Sequence, residues 1–254
     1  MKPKELLAVF FGTFILLLLG DGVVANAVLG PKLAGAPVSY NWNTIAFGWA
    51  FAVAISGLVA GADNNPAVTV AMAIRGVTPW SKVLPYLLAE FGGAFLGAAA
   101  VYLTYREGLV AAGLPNIYTT GPGAIYGTDG VVGSYSMLTA SVAEFFGTVV
   151  LMWGVLATSD RRNAALSKAG PFVVGGVILV IGLCLGGPSG YSLNPARDFG
   201  PRLFGLLSGT QGLFDGWYWL IPPVLVPFIA APVGSWLYDI FFASEPEKLQ
   251  SAKA

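Results

Sequence analysis

Two copies of the tripeptide Asn-Pro-Ala are the residues of this chain best suited to specific chemistry. They lie at Asn65-Pro66-Ala67 and Asn194-Pro195-Ala196, and the second runs directly into Arg197. Asparagine caps helices and proline favours the first helical position, so each tripeptide predicts a helix that begins at its proline. Each amide still offers N–H donors, and Arg197 adds a rigid fork of them. Fixed donors of this kind suit the binding of a neutral oxygen, such as a hydroxyl, rather than a bond-breaking step.

The composition argues against most enzyme classes and against nucleic-acid binding. The 254 residues include no histidine and a single cysteine, Cys184. The chain therefore lacks the commonest metal ligand and acid–base group, and it cannot form a disulfide framework. Thirteen basic residues balance thirteen acidic ones, which leaves no basic footprint for nucleic acid. We expect a protein that is not an enzyme and needs no metal or cofactor.

The apolar content indicates that lipid is the main solvent. Apolar residues make up 56% of the chain and charged residues 10%, whereas about a quarter of a soluble domain is charged. A bilayer crossing needs about 20 apolar residues, and six segments qualify: 6–29, 44–61, 83–105, 137–158, 171–185 and 217–238. Two shorter apolar stretches, 66–74 and 195–206, begin at the Asn-Pro-Ala motifs. They predict half-helices that enter the membrane without crossing it.

Lysine and arginine residues are unevenly distributed between the two sides. With six crossings, nine fall on one side, namely Lys2, Lys4, Arg75, Lys82, Arg161, Arg162, Lys168, Lys248 and Lys253. The opposite side carries Lys32, Arg106, Arg197 and Arg202. Because cytoplasmic loops are enriched in these residues, both termini are expected in the cytoplasm.

The chain contains an internal repeat. Residues 8–13 (AVFFGT) recur at 143–148 (AEFFGT), and the Asn-Pro-Ala motifs follow in the same order. Each half has three crossings, so the second half must be inverted relative to the first. We expect a single domain with one repeat at about 6–107, an outer connection at 108–136, a second repeat at 137–239 and a tail at 243–254. Interrupted segments at matching places of inverted halves indicate a binding site at the membrane midplane.

These features resemble the major intrinsic proteins, the aquaporins and glycerol facilitators. The resemblance rests on the paired motifs, the inverted repeat and the stretch 190–202 (GYSLNPARDFGPR), and it covers the chain from about residue 6 to 239. Asp198, directly after the arginine, is similar to the glycerol-conducting branch. The resemblance implies six membrane helices with two re-entrant half-helices, and a homotetramer with one pore per subunit. The expected location is a bacterial-type cell membrane.

The resemblance also implies a selectivity filter around Arg197. By alignment with the family, its partners are Tyr191, Gly182 and one residue of the second span. Water-selective relatives typically place histidine where Gly182 leaves space, and Tyr191 provides an apolar face for carbon atoms. Counting back from the first motif without a gap makes the second-span member Ile45, whereas matching the local Ala-Phe-Gly pattern makes it Phe47. We favour Phe47.

Irregular backbone persists inside a membrane only where it lines a wet cavity. A ladder of backbone carbonyls is therefore expected from Gly61, Ala62, Asp63, Gly190, Tyr191 and Ser192. The family usually has a glutamate in each half that accepts backbone N–H bonds from these loops. In the second half this glutamate is present as Glu144. In the first half Val9 stands in its place, and Glu90 is expected to supply the missing acceptor. Asp198 is expected to support the second loop and to pair with Arg202.

Three acidic or polar residues depart from the expected pattern. Asp63 and Asn64 stand where the family usually has histidine and leucine. Asp63 either caps the amides of the first half-helix or lines the vestibule and disfavours anions. Asp21 lies near the outer end of the first span and is expected at the membrane interface.

The favoured function is a passive channel for small uncharged solutes of the glycerol type and water, excluding ions and protons. Protonated lactic acid or dihydroxyacetone would pass the same filter. A water-only channel is the first alternative, which Gly182 and Asp198 oppose. A carrier coupled to the titration of Asp63, Glu90 and Glu144 is another. A junction protein with closed pores is a third, which Arg197 and Gly182 oppose.

Overall fold

Helices form the framework of the computed structural model, which describes residues 2–33, 40–61, 64–121 and 135–243. Its α-helices are α1 (Pro3–Leu33), α2 (Trp42–Ala60), α3 (Pro66–Ile74), α4 (Trp80–Ala111), α5 (Met137–Ser159), α6 (Gly170–Leu185), α7 (Pro195–Ser208) and α8 (Val226–Phe241). A 3-10 helix, Arg161–Ala169, precedes α6, and a π-helical turn, Ile221–Leu225, precedes α8. No strand occurs among the residues that the structure describes.

The six predicted membrane spans are confirmed, with different ends. Six helical segments are long and apolar enough to cross a bilayer, and they correspond one to one with the predicted segments. The prediction was wrong at the start of the sixth span, where residues 217–220 form turns and the helix begins at Ile221. Pro222 and Pro223 lie in this first π-helical turn, because proline lacks the N–H that a regular α-helical ladder needs.

The half-helices α3 and α7 begin at Pro66 and Pro195, as predicted. They contain nine and fourteen residues, or roughly 14 and 21 Å at the α-helical rise. The hydrocarbon core of a bilayer is about 30 Å thick. Neither helix can cross it, so both are re-entrant.

Each half of the chain has the same order of elements: two spans, a half-helix and a third span. α1 to α4 form the first half and α5 to α8 the second. The halves meet where the half-helices begin. The amide Nδ2 of Asn65 donates to the carbonyl oxygen of Leu193 over 2.9 Å, and Nδ2 of Asn194 donates to that of Asn64 over 2.7 Å. This reciprocal pair of bonds is what two inverted repeats produce at their shared axis.

Glycines allow α4 to approach the first span and the second half-helix closely. A Cβ atom at Gly93 of α4 would lie 2.2 Å from the carbonyl oxygen of Phe10 in α1. A Cβ atom at Gly200 of α7 would lie 2.7 Å from the Cβ of Ala94 in α4. Any side chain would force these backbones apart, as in other membrane bundles whose contacts use small residues. α4 thus fixes both the first span and the second half-helix.

Candidate functional site

A cavity of about 1250 Å³ extends through the bundle to Arg197. At the end near the amino terminus its walls include Lys2, Lys4, Glu5, Lys82 and Tyr86. At the other end they include Trp49, Tyr191 and Arg197, and between the two ends both motif asparagines face the cavity. Of the residues singled out from the sequence, Asn65, Asn194, Tyr191 and Arg197 are therefore brought together along one passage.

The two motif asparagines cap their own helices and also donate across the axis. Oδ1 of Asn65 accepts from the amide of Ala67 over 3.0 Å, and Oδ1 of Asn194 accepts from that of Ala196 over 3.0 Å. One N–H of each side-chain amide is used in the bond to the opposite loop. A primary amide has two such hydrogens. The second N–H of each is left for a ligand in the cavity.

The guanidinium of Arg197 is buried and held in a fixed orientation. Its side chain leaves the first turn of α7, where the backbone amide donates to Oδ1 of Asn194 over 3.1 Å. The Arg197 residue is only 5% exposed, its Cζ lies 4.0 Å from the ring centroid of Trp49, and Nη1 donates to the carbonyl oxygen of Tyr118 over 3.2 Å. An aromatic face and a carbonyl both favour a cation. The other guanidinium N–H groups donate to no described residue and can bind a solute.

Trp49, not Phe47 or Ile45, is the α2 residue next to Arg197. Phe47 is 50% exposed and shares the outer face of α2 with Phe51 and Leu58, at helical spacings of four and eleven. Ile45 is buried in the core, away from the cavity walls. Both predictions are wrong because neither used the helical periodicity of the span. That signal was available, since Trp49, Val53 and Ser56 form the opposite, cavity-lining stripe.

Gly182 acts on the filter through Tyr191 rather than by leaving space beside the arginine. A Cβ atom at Gly182 would lie 2.8 Å from Cζ of the Tyr191 ring. Trp42 packs edge-on against the same ring, and its Nε1 donates to the carbonyl oxygen of Gly182 over 2.8 Å. Gly182 is absent from the cavity wall, whereas Tyr191 belongs to it. The glycine lets the tyrosine ring pack against α6 beside the passage.

The non-helical segment before α7 is held by Glu144, as predicted. Its two carboxylate oxygens accept from the backbone amides of Ser192 and Leu193 over 2.7 and 2.8 Å. Tyr191 and Leu193 adopt left-handed backbone conformations with φ of 42° and 57°, which cost of order 1–3 kcal/mol each for residues other than glycine. Charge-assisted bonds to a buried carboxylate offset that strain. Gly190, with φ of 82°, needs no such compensation.

Asp198 links α7 to the segment that precedes residue 122. Its Oδ1 accepts from Nε of Arg202 over 2.8 Å, the ion pair that the sequence predicts, and both side chains are at most 4% exposed. Its Oδ2 accepts from the amide and the hydroxyl of Thr120 over 2.8 and 2.7 Å. Arg202 also donates to the carbonyl oxygen of Leu213. This network fixes the outer turns around Arg197.

In the first half, Glu90 contacts the half-helix itself. Its Oε1 accepts from the hydroxyl of Thr69 in α3 over 2.8 Å, and both residues are fully buried. Asn64, just before the first motif, donates to Oγ of Ser56 over 3.2 Å. Gly61 ends α2 in a left-handed conformation with φ of 59°. Ala62 and Asp63 lie outside the described residues, as do residues 122–134 of the outer connection and all but the first residue of the tail.

Asp21 is buried inside the helical bundle. It lies within α1, twelve residues or about 18 Å of helix before the last residue, Leu33. The residue is 0% exposed, so its carboxylate is enclosed by protein. Its depth at the membrane interface stays a prediction.

Comparison with known proteins identifies the family. The family model described as "Major intrinsic protein" matches residues 2–238. The chain belongs to the major intrinsic protein family. This major intrinsic protein is 41% identical to a probable glycerol uptake facilitator protein of Thermotoga maritima, over 93% of this chain and 98% of the relative. It is 39% identical to the glycerol uptake facilitator protein of Streptococcus pneumoniae, over 94% and 99% of the two chains.

A solved structure has the same fold. The X-ray structure of the aquaglyceroporin from Plasmodium falciparum matches this major intrinsic protein with a TM-score of 0.79 and 28% identity. The match covers 92% of this chain and 94% of that one. The resemblance read from the motifs is confirmed over nearly the whole length, and the protein is an integral, multi-pass membrane protein.

Proposed function

We propose that this protein is a passive channel for glycerol and similar small neutral solutes, together with water. The observation that carries the proposal is the pair of unlike surfaces at the Arg197 end of the cavity. The guanidinium of Arg197 offers N–H donors there, and the rings of Trp49 and Tyr191, the first of them in contact with the guanidinium, add apolar surface to the same walls. A polyol has a hydroxylated edge and a carbon edge, so both surfaces are used by one solute.

Fast passage requires that no site hold the solute tightly. In the segment before α7, the amides of residues 190–193 are all bound by the protein itself, to Gly186, Ser189 and Glu144. Their donors are thereby removed from the passage. The carbonyl oxygens of the same segment then act as successive acceptors for solute hydroxyls, the ladder expected from the sequence. Gly61, Ala62 and Asp63 would form the corresponding ladder in the first half.

Ions and protons are excluded at the point where the half-helices meet. The N-terminus of a helix carries about half a positive charge, and two such termini face the passage beside Asn65 and Asn194. Arg197 adds a full positive charge further along. Cations meet a barrier, and a water molecule that accepts from both free amide N–H groups is turned away from relaying a proton.

The arrangement of the acidic residues favours a channel over a proton-coupled carrier. A carrier of this kind needs carboxyl groups that change protonation in contact with the solute. Glu144 binds two backbone amides and Glu90 binds Thr69, and neither lines the cavity. Both are committed to holding the half-helices. A water-selective channel remains the other alternative within the family, and the two aromatic rings that line the cavity beside Arg197 suit carbon-bearing solutes better.

The remaining features of the proposal follow from the sequence. The whole chain forms one channel domain with no catalytic step, and four copies assemble as a homotetramer in the lipid bilayer. A cell membrane with both termini on the cytoplasmic side fits the distribution of lysine and arginine. Protonated lactic acid and dihydroxyacetone are small enough, and hydroxylated enough, to use the same filter.

Stopped-flow light scattering on vesicles that contain the purified protein tests this proposal. We expect rapid reswelling in a glycerol gradient, well above protein-free vesicles, that a protonophore leaves unchanged. Reswelling by water alone would assign a water channel, and solute flux that requires a pH gradient would assign a carrier. Dihydroxyacetone is tested in the same way. For lactic acid, an internal pH dye reports entry, and its rate should follow the protonated fraction.

A further inference from the structure

The ring of Tyr191 is backed by a second aromatic residue that does not line the cavity. Tyr191 belongs to the cavity wall, whereas Trp42, the first residue of α2, is absent from it. The two rings pack edge-on, with their centroids 5.6 Å apart and their planes inclined by 75°. Aromatic pairs in this arrangement stabilise by more than the area that they bury. Trp42 therefore lies one layer behind a residue that faces the solute.

The indole of Trp42 also binds the end of α6. Its Nε1 donates to the carbonyl oxygen of Gly182 over 2.8 Å. Gly182 lies in the last turn of α6, which ends at Leu185, and the last four carbonyls of an α-helix have no partner within the helix. This bond joins residues 140 positions apart in the sequence. It fixes the indole to the same helix end against which the Tyr191 ring packs.

Two glycines of α6 provide the backbone surface on which both rings rest. A Cβ atom at Gly186 would lie 2.5 Å from Cζ2 of Trp42 and 2.8 Å from Cδ1 of Tyr191. A Cβ atom at Gly182 would lie 2.8 Å from Cζ of Tyr191. Residues four positions apart share one face of a helix, so the two glycines form a continuous surface. Neither ring can move toward α6, because it already contacts the backbone there.

The backbone of Tyr191 is fixed, but its backbone bonds do not set the orientation of the ring. The residue has φ of 42°, and its amide donates to Oγ of Ser189 over 3.1 Å. Rotation about the side-chain torsions still allows several staggered rotamers. Packing against Trp42 and against the α6 glycines selects among these rotamers. The position of the ring in the cavity wall therefore depends on the indole.

α2 supports both the arginine and the tyrosine of the filter. Trp42 and Trp49 are separated by about two helical turns and so lie on the same face of α2. Trp49 contacts the guanidinium of Arg197, with Cζ 4.0 Å from the ring centroid, and Trp42 contacts the ring of Tyr191. One face of a regular helix thus carries an aromatic contact to each of the two residues.

We propose that Trp42 is a positioning residue that sets the size limit of the passage by fixing the ring of Tyr191. Removal of the indole leaves space next to the ring and outside the cavity wall. The ring relaxes into this space, the passage beside Arg197 widens, and larger solutes pass. The role rests on the proposed channel function, but the position of the ring can be measured without transport.

The ratio of erythritol to glycerol flux through the full-length protein in vesicles tests this role, erythritol being the larger polyol. Trp42→Leu should raise the ratio severalfold. Trp42→Phe keeps an aromatic edge but loses the bond to Gly182, and should raise the ratio less. Trp153→Phe is the matched control, because Nε1 of Trp153 donates to the carbonyl oxygen of Gly234 over 3.0 Å and its ring packs edge-on against Phe242 at 5.0 Å. Trp153 is absent from the cavity wall, so this exchange should leave the ratio unchanged.

A double-mutant cycle shows whether Trp42 acts through Tyr191. In a Tyr191→Ala background, Trp42→Leu should not change the flux ratio further, because the ring that the indole positions is gone. An unchanged or lower ratio in Trp42→Leu alone would overturn the proposal. The same rise in both backgrounds would also overturn it, since the indole would then act on the passage by another route.

Fluorine NMR measures the position of the ring even if Trp42→Leu does not fold. The full-length protein is labelled with 3-fluorotyrosine, and the Tyr191 resonance is assigned by its loss in Tyr191→Phe. This resonance should shift in Trp42→Phe, because the ring changes its position and its aromatic neighbour, and should stay in place in Trp153→Phe. An unshifted resonance in Trp42→Phe would overturn the proposal. A shifted resonance in a protein that passes no polyol would support the positioning of the ring and contradict the channel function instead.

Discussion

The two embedded segments begin with the same Asn-Pro-Ala motif and cap, but they are held in different ways. The segment before α7 is bound through its backbone, with Glu144 accepting from two consecutive amides. Among the described residues, the bonds that hold the first half-helix include that of the Thr69 hydroxyl to Glu90 and that of the Asn64 side-chain amide to Ser56. Backbone bonds fix the conformation of every residue they touch, whereas side-chain bonds fix only the position of the helix.

The difference explains where the filter is built. Tyr191 and Arg197 both belong to the second segment or the turn that follows it, and both need a fixed position to discriminate between solutes. The first half contributes the carbonyl of Asn64 and the ring of Trp49, which is carried by the regular helix α2. Specificity thus depends on the segment whose amides Glu144 binds.

The largest expected effect comes from the ion pairs of the two half-helices. Asp198→Asn breaks the buried pair with Arg202, and loss of one partner of such a pair costs about 3–5 kcal/mol. Asp239→Asn breaks the ion pair between Asp239 of α8 and Arg75, the C-cap residue of α3. The Asp239 side chain is 42% exposed. Exposed pairs contribute about 0–1 kcal/mol. Melting temperatures should separate the two variants clearly, and equal losses would contradict the account.

The next effect compares the two buried glutamates. Glu144→Gln places an NH₂ group opposite one of the two backbone amides, and we expect a loss of about 3 kcal/mol in the free energy of unfolding and of most of the glycerol flux. Glu90→Gln still offers an oxygen to Thr69 and should cost about 1 kcal/mol or less. Denaturation and vesicle reswelling measure both quantities. A larger loss of stability and flux in Glu90→Gln than in Glu144→Gln would contradict the account, because the first half-helix would then be held more firmly than the second.

A smaller effect distinguishes the two faces of α2. Trp49→Ala removes the ring from Arg197 and enlarges the cavity beside the guanidinium, so the flux of a larger polyol such as erythritol should rise relative to glycerol by severalfold. Phe47→Ala changes the exposed face and should leave the ratio within experimental error. Reswelling rates with the two solutes provide the measurement. A changed ratio of erythritol to glycerol flux in Phe47→Ala would show that Phe47 belongs to the filter, as the alignment first predicted.

The smallest effect is a pH dependence at the rim of the second half. The Arg162 guanidinium and amide hold the pKa of Asp160 well below its usual range. A group with a lowered pKa in the folded state stabilises above its ordinary value of about 4 and loses that contribution as the pH falls below it. The melting temperature of the wild type should therefore drop more between about pH 5 and pH 3 than that of Asp160→Asn. If the melting temperatures of the wild type and Asp160→Asn fall by the same amount over this pH range, the ionised Asp160 does not stabilise the protein.

Local signals made much of this molecule predictable. Asparagine followed by proline marks a helix start wherever it occurs, which is why α3 and α7 begin at the predicted residues. Repetition of the AVFFGT motif located Glu144, and the spacing of four between Asp198 and Arg202 places them on one helix face. These inferences need only neighbours in the chain or a repeated pattern.

Contacts between distant segments were harder to predict from the sequence. Trp49 and Arg197 are in contact although 148 positions separate them in the sequence. The second span has no motif near Trp49 that would fix its alignment with the family. The helical stripe formed with Val53 and Ser56 would have separated it from Phe47. Asp21 is buried inside the bundle, which the hydropathy of α1 alone does not show. The partner of Glu90 depended on the packing of α3 against α4, which no pattern in either segment encodes.

The most direct test of the central claim is the position of glycerol in a high-resolution structure of the full-length protein. The account predicts glycerol beside Arg197, Trp49 and Tyr191, with hydroxyls within hydrogen-bond distance of the guanidinium and the carbon edge against the ring surfaces that line the cavity. Glycerol found only outside the bundle, with ordered water alone beside Arg197, would contradict it.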